Sequence, residues 1–98
     1  MSLLVEYSII EGKAAEQTEA LKSLITDLRE LGDQGFHYTA FETDDPTRFI
    51  AVLEFDDDAA KQRFLSSEAF ATYRDGTKGR FTGPPSTTPL QFVASTRS

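Results

Sequence analysis

Residues 49–55, "FIAVLEF", contain one polar side chain, that of Glu54, and are apolar on both faces of any strand they form. A strand with one wet face alternates between polar and apolar residues, whereas a strand covered on both faces is apolar throughout. This segment therefore predicts a central strand in a sheet that is covered on both faces. The rest of the chain has to supply the elements that cover it.

The residues before this strand predict another strand and a long helix. Residues 3–10 are rich in Leu, Val, Ile and Tyr, which favours a strand. Leucine and isoleucine then recur at helical spacing, which predicts a helix over about residues 13–31. Gly32 follows the last of them, where a left-handed cap favours glycine.

A hairpin is predicted next. Residues 35–43 and 48–55 read as two strands, and the sequence Asp44-Asp45-Pro46 between them is typical of a tight turn. Proline fixes its own φ there, and the aspartate side chains can bind the local backbone.

The segment after the hairpin predicts a helix with a break in it. Asp56 or Asp57 is suited to cap its N-terminus. The pair Ser66-Ser67 predicts an interruption, after which a second helical piece ends at Gly76.

The end of the chain predicts a loop and a last strand. Residues 77–88 are rich in Gly and Pro, and residues 89–95 are apolar enough to form a strand. The order strand, helix, strand, strand, helix, strand predicts one α+β domain over residues 1–98. Its ferredoxin-like βαββαβ fold has a four-stranded antiparallel sheet.

In this fold the helices cover one face of the sheet and leave the other open. The predicted helix-facing row of the central strand is Phe49, Ala51, Leu53 and Phe55. The open face then exposes an apolar patch that is large for a monomer and comprises Leu4, Ile10, Ile50 and Val52. Covering it in two subunits is worth on the order of 10 kcal/mol before association costs. We therefore expect a homodimer through the open sheet face; the alternative cover, residues 77–88, is too polar to serve well.

Composition excludes several classes of function. The 98 residues contain no cysteine, so disulfides, thiolate metal sites and thiol nucleophiles are excluded. The net charge of −6 disfavours nucleic acid as a partner, because phosphate backbones are bound by clustered Lys and Arg. The apolar N-terminal run is interrupted by Glu6 and has no basic leader, so we expect no signal peptide, no membrane span and a cytoplasmic location.

The chain resembles a known family over roughly residues 3–94. The stretches that carry the resemblance are "GKAAEQTEALKSLI", "GFHYTAFETDDPTRFIAVLEFDDDAAKQRFLSSEAFATY" and the closing strand. They are similar to the antibiotic-biosynthesis-monooxygenase-like proteins, which are small dimeric α+β barrels. The resemblance implies a monooxygenase that needs no cofactor and acts on a small aromatic or quinol-type substrate. A non-enzymatic dimeric protein of the same fold, with a ligand-binding or structural role, is the alternative.

Some residues depart from the family pattern. Family oxygenases commonly place Trp and Asn on the third strand, where this chain has Phe55 and Ala51, and many carry histidines at the positions of Phe64 and Ala69. The chain contains neither Asn nor Trp, which disfavours the haem-degrading activity of some members.

The resemblance and the aromatic residues together suggest a site between the sheet and the helices. Tyr7, His37 and Tyr73 are the candidate catalytic, hydrogen-bonding groups, His37 because its ordinary pKa lies near neutrality. The candidate substrate-binding residues are Phe49, Phe55, Phe64, Phe70 and Arg74. An aromatic set at these spacings also suits an ordinary core.

Three charged groups have alternative interpretations. Glu6 and Glu54 share the open face and form either an acid/base pair or, as we expect, salt bridges across the dimer with Arg48. The basic group of Arg74, Lys78 and Arg80 is interpreted as part of a solvated loop, the alternative being the mouth of an anion pocket. The aspartate runs lack the spacing of a calcium loop, so no metal site is predicted.

Overall fold

The computed structural model describes residues 1–97 and contains one sheet with helices on one of its faces. In chain order the elements are β1 (Ser2–Ser8), α1 (Ala14–Glu30), β2 (Phe36–Glu42), β3 (Arg48–Phe55), α2 (Asp58–Leu65), α3 (Glu68–Thr77) and β4 (Ser86–Leu90). The strands are antiparallel in the order β2-β3-β1-β4, so β1 and β3 are central. The predicted α+β, ferredoxin-like fold is confirmed.

The central strand β3 has the predicted two-sided character. Its helix-facing row is buried and consists of Phe49, Ala51, Leu53 and Phe55. On the other face Ile50 and Val52 are half-buried and Glu54 is exposed. Their neighbours across the β2–β3 ladder, Phe41 and His37, lie on the same open face.

Side-chain caps divide the predicted broken helix into α2 and α3. The Asp57 carboxylate accepts a hydrogen bond from the Ala60 N–H at 2.8 Å, and the Ser67 hydroxyl accepts one from the Phe70 N–H at 3.2 Å. Such caps satisfy backbone donors that a helix start leaves free. The break therefore falls at Ser66-Ser67, as predicted.

The β2–β3 turn is held by Asp45. Its Oδ1 accepts hydrogen bonds from the backbone N–H and the hydroxyl of Thr47, at 2.9 and 2.7 Å. Because these bonds favour the charged form, they hold the pKa of the Asp45 carboxyl below its usual range. The predicted tight reversal is confirmed.

The last strand lies earlier in the sequence than predicted. It covers residues 86–90, not 89–95, and pairs with β1 in a register that joins Ser86 to Glu6 and Leu90 to Ser2. Beyond Leu90 the strand has no residue of β1 left to pair with, so the apolar residues that follow stay outside the sheet. Pro89 is tolerated because β4 is an edge strand.

Residues between α3 and β4 pack on the helix side of the sheet. Ile9 forms an isolated bridge with Phe81, and the Ile10 N–H donates to the Arg80 carbonyl at 2.7 Å. The side chain of Phe81 stacks on Tyr7, which faces the helices. In the described residues no helix has the length and apolar character needed to cross a membrane.

Candidate functional site

A pocket of about 310 Å³ lies between the sheet, α2, α3 and the segment that precedes β4. Its volume is at the lower end of those that hold small molecules. Six of the fourteen residues that line it are aromatic: Tyr7, Tyr38, Phe64, Phe70, Tyr73 and Phe81. The pocket is therefore suited to a small aromatic molecule.

The three tyrosines of the pocket are all the tyrosines in the chain. Tyr7 belongs to the inward row of β1, and Tyr38 belongs to the inward row of β2, on the other side of the central strand β3. Tyr73 follows Phe70 by three residues and so lies on the same face of α3. Sheet and helix periodicity thus bring three phenol groups from three elements to one place.

Gln17 of α1 joins two of these hydroxyls. Its side chain is fully buried, and its Nε2 donates hydrogen bonds to Tyr7 Oη and Tyr73 Oη, both at 2.8 Å. Its Oε1 accepts a hydrogen bond from Arg80 Nε at 2.7 Å. All of the amide's hydrogen-bonding groups are therefore used within the site.

Arg80 is buried, which corrects its interpretation as part of a solvated loop. Only 8 % of Arg80 is exposed to solvent, and its guanidinium carbon lies 5.7 Å from the centre of the Tyr73 ring. That contact is a cation–π arrangement. The other two members of the predicted basic group, Arg74 and Lys78, are exposed.

Burial keeps two of the phenols protonated. It raises the pKa of Tyr7 well above the usual range, Tyr73 adds to this, and the Gln17 hydrogen bond and the Arg80 charge oppose it. Burial likewise raises the pKa of Tyr38, with Tyr73 and Tyr7 acting in the same direction. At neutral pH, Tyr7 and Tyr38 are therefore hydrogen-bond donors and not bases.

Neutral phenols around an apolar pocket can stabilise an oxyanion. Hydrogen bonds to a charged acceptor are stronger than those between neutral groups, and low polarity strengthens them further. The positive charge of Arg80 lies against the Tyr73 ring and is linked to the Tyr7 and Tyr73 hydroxyls through the Gln17 amide. The arrangement fits a bound phenolate or enolate.

Some of the predicted substrate-binding residues line this pocket and others do not. Phe64, Phe70 and Arg74 line it. Phe55 lies outside the lining and packs on Phe64 in the core, with ring centres 5.9 Å apart. Phe49 also lies outside the lining and stacks on Tyr7, with ring centres 5.8 Å apart. It borders a separate groove of about 560 Å³ between α1 and β2.

His37 is not brought together with Tyr7 and Tyr73. It is exposed on the open face of the sheet, where it pairs with Glu54 across the β2–β3 ladder. On the same face Arg48 Nη2 lies 3.9 Å from Glu6 Oε1 within one chain. The tyrosines and the candidate histidine thus lie on opposite faces of the sheet.

Sequence reasoning missed Gln17 and Tyr38 as members of the site. Gln17 precedes Leu21 by four residues and continues the apolar stripe of α1, so a polar residue in that stripe was the available signal. For Tyr38 the signal was strand parity, since it shares its face with Phe36 and Ala40. Burial of Arg80 depends on the path of a loop, which has no periodicity.

Comparison with known proteins identifies the fold and the family. The model of the antibiotic biosynthesis monooxygenase family matches residues 1–76. No curated protein matches the chain.

Solved structures with the same fold come from several bacteria. A protein of Bacteroides thetaiotaomicron, named for the antibiotic biosynthesis monooxygenases, is 18 % identical, with a TM-score of 0.84 over 100 % of this chain and 93 % of its own. One from Nitrosomonas europaea, named likewise, is 19 % identical, with a TM-score of 0.82 over 95 % and 98 %. A protein of Mycobacterium tuberculosis is 17 % identical, with a TM-score of 0.81 over 97 % and 96 %.

At these identities the structural likeness shows the fold and not the reaction. The match to the family model covers well over half of the sequence and includes the elements that carry Tyr7, Gln17, Tyr38 and Tyr73. The chain belongs to the antibiotic biosynthesis monooxygenase family.

Proposed function

We propose that this protein is a cofactor-independent monooxygenase that acts on a small phenol, anthrone or quinol-type substrate. One observation carries the proposal: the hydroxyls of Tyr7 and Tyr73 share the Gln17 amide at the edge of an apolar, aromatic-walled pocket. The family match supports the same reaction class. We also propose that the protein acts in the cytoplasm, as expected from the sequence.

The substrate supplies the electrons in this reaction. Its oxyanion gives electrons to O₂, a C–O bond forms at the activated C–H carbon, and the hydroperoxide loses water to leave a carbonyl. One oxygen atom stays on the product and the other leaves as water with the two hydrogens that the substrate loses. Oxidation of the substrate by four electrons balances reduction of O₂ by four, so no external reductant is needed.

The residues of the pocket have three tasks in this scheme. Phe64 and Phe70 hold the ring and exclude water. Tyr7 and Tyr73 donate hydrogen bonds to the substrate oxygen and stabilise its anion. Arg74 is exposed beside the pocket, with its guanidinium carbon 5.3 Å from the centre of the Phe70 ring. In this scheme its charge attracts an anionic substrate to the entrance.

Oxygen consumption with an anthrone or a hydroquinone tests this function. We expect turnover by the wild-type protein and a loss of roughly tenfold or more in Tyr7→Phe and in Tyr73→Phe, since each removes one donor to the developing oxyanion. Thr18→Val, which removes a hydroxyl of α1 outside the pocket, is the control. Binding without oxygen uptake would contradict the proposal and favour the alternative, a dimeric ligand-binding protein.

We extend the proposal to a homodimer formed through the open sheet face. That face carries the half-buried Leu4, Ile50 and Val52, and Phe41 beside them is 50 % exposed. Residues 80 and 81 pack on the helix side of the sheet, so this part of the loop before β4 does not cover the open face. A second copy fits best, since a twofold axis joins identical patches.

A further inference from the structure

Arg80 carries a positive charge into the interior. One of its guanidinium nitrogens, Nη2, is buried without a hydrogen-bond partner within residues 1–97. The salt bridges in that part of the chain involve Lys13, Lys22 and Arg48, so none neutralises Arg80. A buried charge without a carboxylate partner is costly and favours any negative charge that enters its surroundings.

The Arg80 side chain also fixes the orientation of the Gln17 amide. A guanidinium only donates hydrogen bonds, so the amide atom that faces Arg80 Nε has to be the oxygen. The NH₂ group then faces Tyr7 and Tyr73, and both phenol oxygens accept hydrogen bonds from it. Their own protons therefore point away from Gln17, towards the pocket or a neighbouring hydroxyl.

We propose that Arg80, acting through Gln17, is the positioning residue that turns the Tyr7 and Tyr73 hydroxyls into donors and selects a phenol or enol in its anionic form. This inference rests on the proposed function and narrows its substrate class. The substrate is a phenol or enol whose hydroxyl is conjugated with a carbonyl or another electron-withdrawing group, so that it is largely ionised before it binds.

The charged groups around the hydroxyls agree with an anionic ligand. The titratable and charged side chains that face the hydroxyls come from β1, β2, α3 and the following segment, and they are Tyr7, Tyr38, Tyr73, Arg74 and Arg80. Asp27 of α1 borders a separate cavity of about 120 Å³ with Arg80 but forms no salt bridge with it among the described residues. Arg74 lines the pocket, whereas Arg80 lies outside its lining, against Gln17 and the Tyr73 ring, and both charges are positive.

Gln17→Glu is the sharpest test, because it keeps the shape of the side chain and reverses its hydrogen bonds. A carboxylate only accepts, so Tyr7 and Tyr73 would have to donate to it and would no longer donate into the pocket. The same carboxylate would pair with Arg80 and neutralise it. Arg80→Met removes the charge, Arg80→Lys keeps it, and Lys78→Met removes the same charge from an exposed position two residues away.

The probe is para-nitrophenol, whose absorbance distinguishes its ionised and neutral forms, with para-cresol as a neutral analogue. We expect the wild-type protein to prefer the nitrophenolate form. We expect Gln17→Glu and Arg80→Met to reduce this preference roughly tenfold, Arg80→Lys to restore part of it and Lys78→Met to leave it unchanged. Circular dichroism and melting of each variant show that it is folded.

The outcomes separate this inference from the proposed function. If the wild-type protein binds both phenols and the folded variants keep the same preference for the anion, Arg80 and Gln17 do not position the hydroxyls and the inference is overturned, while the proposed function stands. If the wild-type protein binds neither phenol, the proposed function itself is overturned, and this inference with it.

Discussion

A methyl group added at Gly76 would lie 2.7 Å from Nη1 of Arg80, so the last turn of α3 accommodates the buried guanidinium only because residue 76 has no side chain. Glycine inside a helix ordinarily costs stability relative to alanine. This one gives Arg80 the room it needs to reach Gln17 and Tyr73. Position 76 therefore contributes to the site without touching the pocket.

Gly76→Ala should separate stability from binding. Helix propensity favours alanine by about 1 kcal/mol, and the displaced atoms belong to the end of a flexible side chain, so we expect the variant to melt close to the wild-type protein. Because Arg80 has to move, we expect nitrophenolate affinity to fall roughly tenfold. Melting followed by circular dichroism and equilibrium dialysis measure the two effects.

Gly79→Ala is the matched control for that experiment. A methyl group at residue 79 would meet only the Gly76 carbonyl oxygen, at 4.0 Å, which is an ordinary contact. We expect this variant to keep its affinity. An unchanged affinity in Gly76→Ala would show that the position of the guanidinium is irrelevant to the pocket.

The parts of the structure that follow from periodicity were accessible from the sequence, and the parts that depend on loop paths were not. Strand parity and helical spacing predicted the buried row of β3 and the inward direction of Tyr7 and Phe64. The position of β4 depends on where β1 begins, and the burial of Arg80 depends on how the segment after α3 returns to β1. Neither leaves a pattern in the local sequence.

The hydroxyls of Tyr7 and Tyr38 should resist ionisation in the folded protein. Since burial raises the pKa of Tyr7 and Tyr38, we expect neither to contribute tyrosinate absorbance near pH 10, where free tyrosine is half ionised. The chain has three tyrosines, all in this cluster, so the ultraviolet absorbance of tyrosinate reports on the site alone. Ionisation of all three at the ordinary pKa, with the fold intact, would contradict the structure.

The same raised pKa values predict how stability depends on pH. Above the ordinary tyrosine pKa of 10.0 the unfolded chain loses protons that folded Tyr7 and Tyr38 retain. The unfolded state then binds fewer protons, so the free energy of unfolding falls as pH rises, whereas below that pKa these groups cause no change. Urea unfolding at pH 8, 10 and 11 would measure this slope, and Tyr38→Phe should reduce it.

The break between α2 and α3 should depend on one serine of the Ser66-Ser67 pair. Ser67 caps α3 through the Phe70 N–H, so we expect Ser67→Ala to reduce the free energy of unfolding by about 1 kcal/mol. The Ser66 hydroxyl instead donates to the Gln62 carbonyl oxygen at the end of α2. Its replacement by Ala should cost less than about 0.5 kcal/mol, and equal losses in the two variants would disprove the cap assignment.

The open face of the sheet should be the surface through which two copies associate. Ile50 lies in its centre, between Glu6 on β1 and Phe41 on β2. Ile50→Glu would place a charge in the dimer interface, where it has to lose its hydration, so we expect it to shift sedimentation from dimer to monomer at micromolar concentration. Ala15→Glu makes the same change in charge on the exposed surface of α1 and should remain dimeric. A folded wild-type protein that sediments at 10.9 kDa would show that the apolar face is stable in water without a partner.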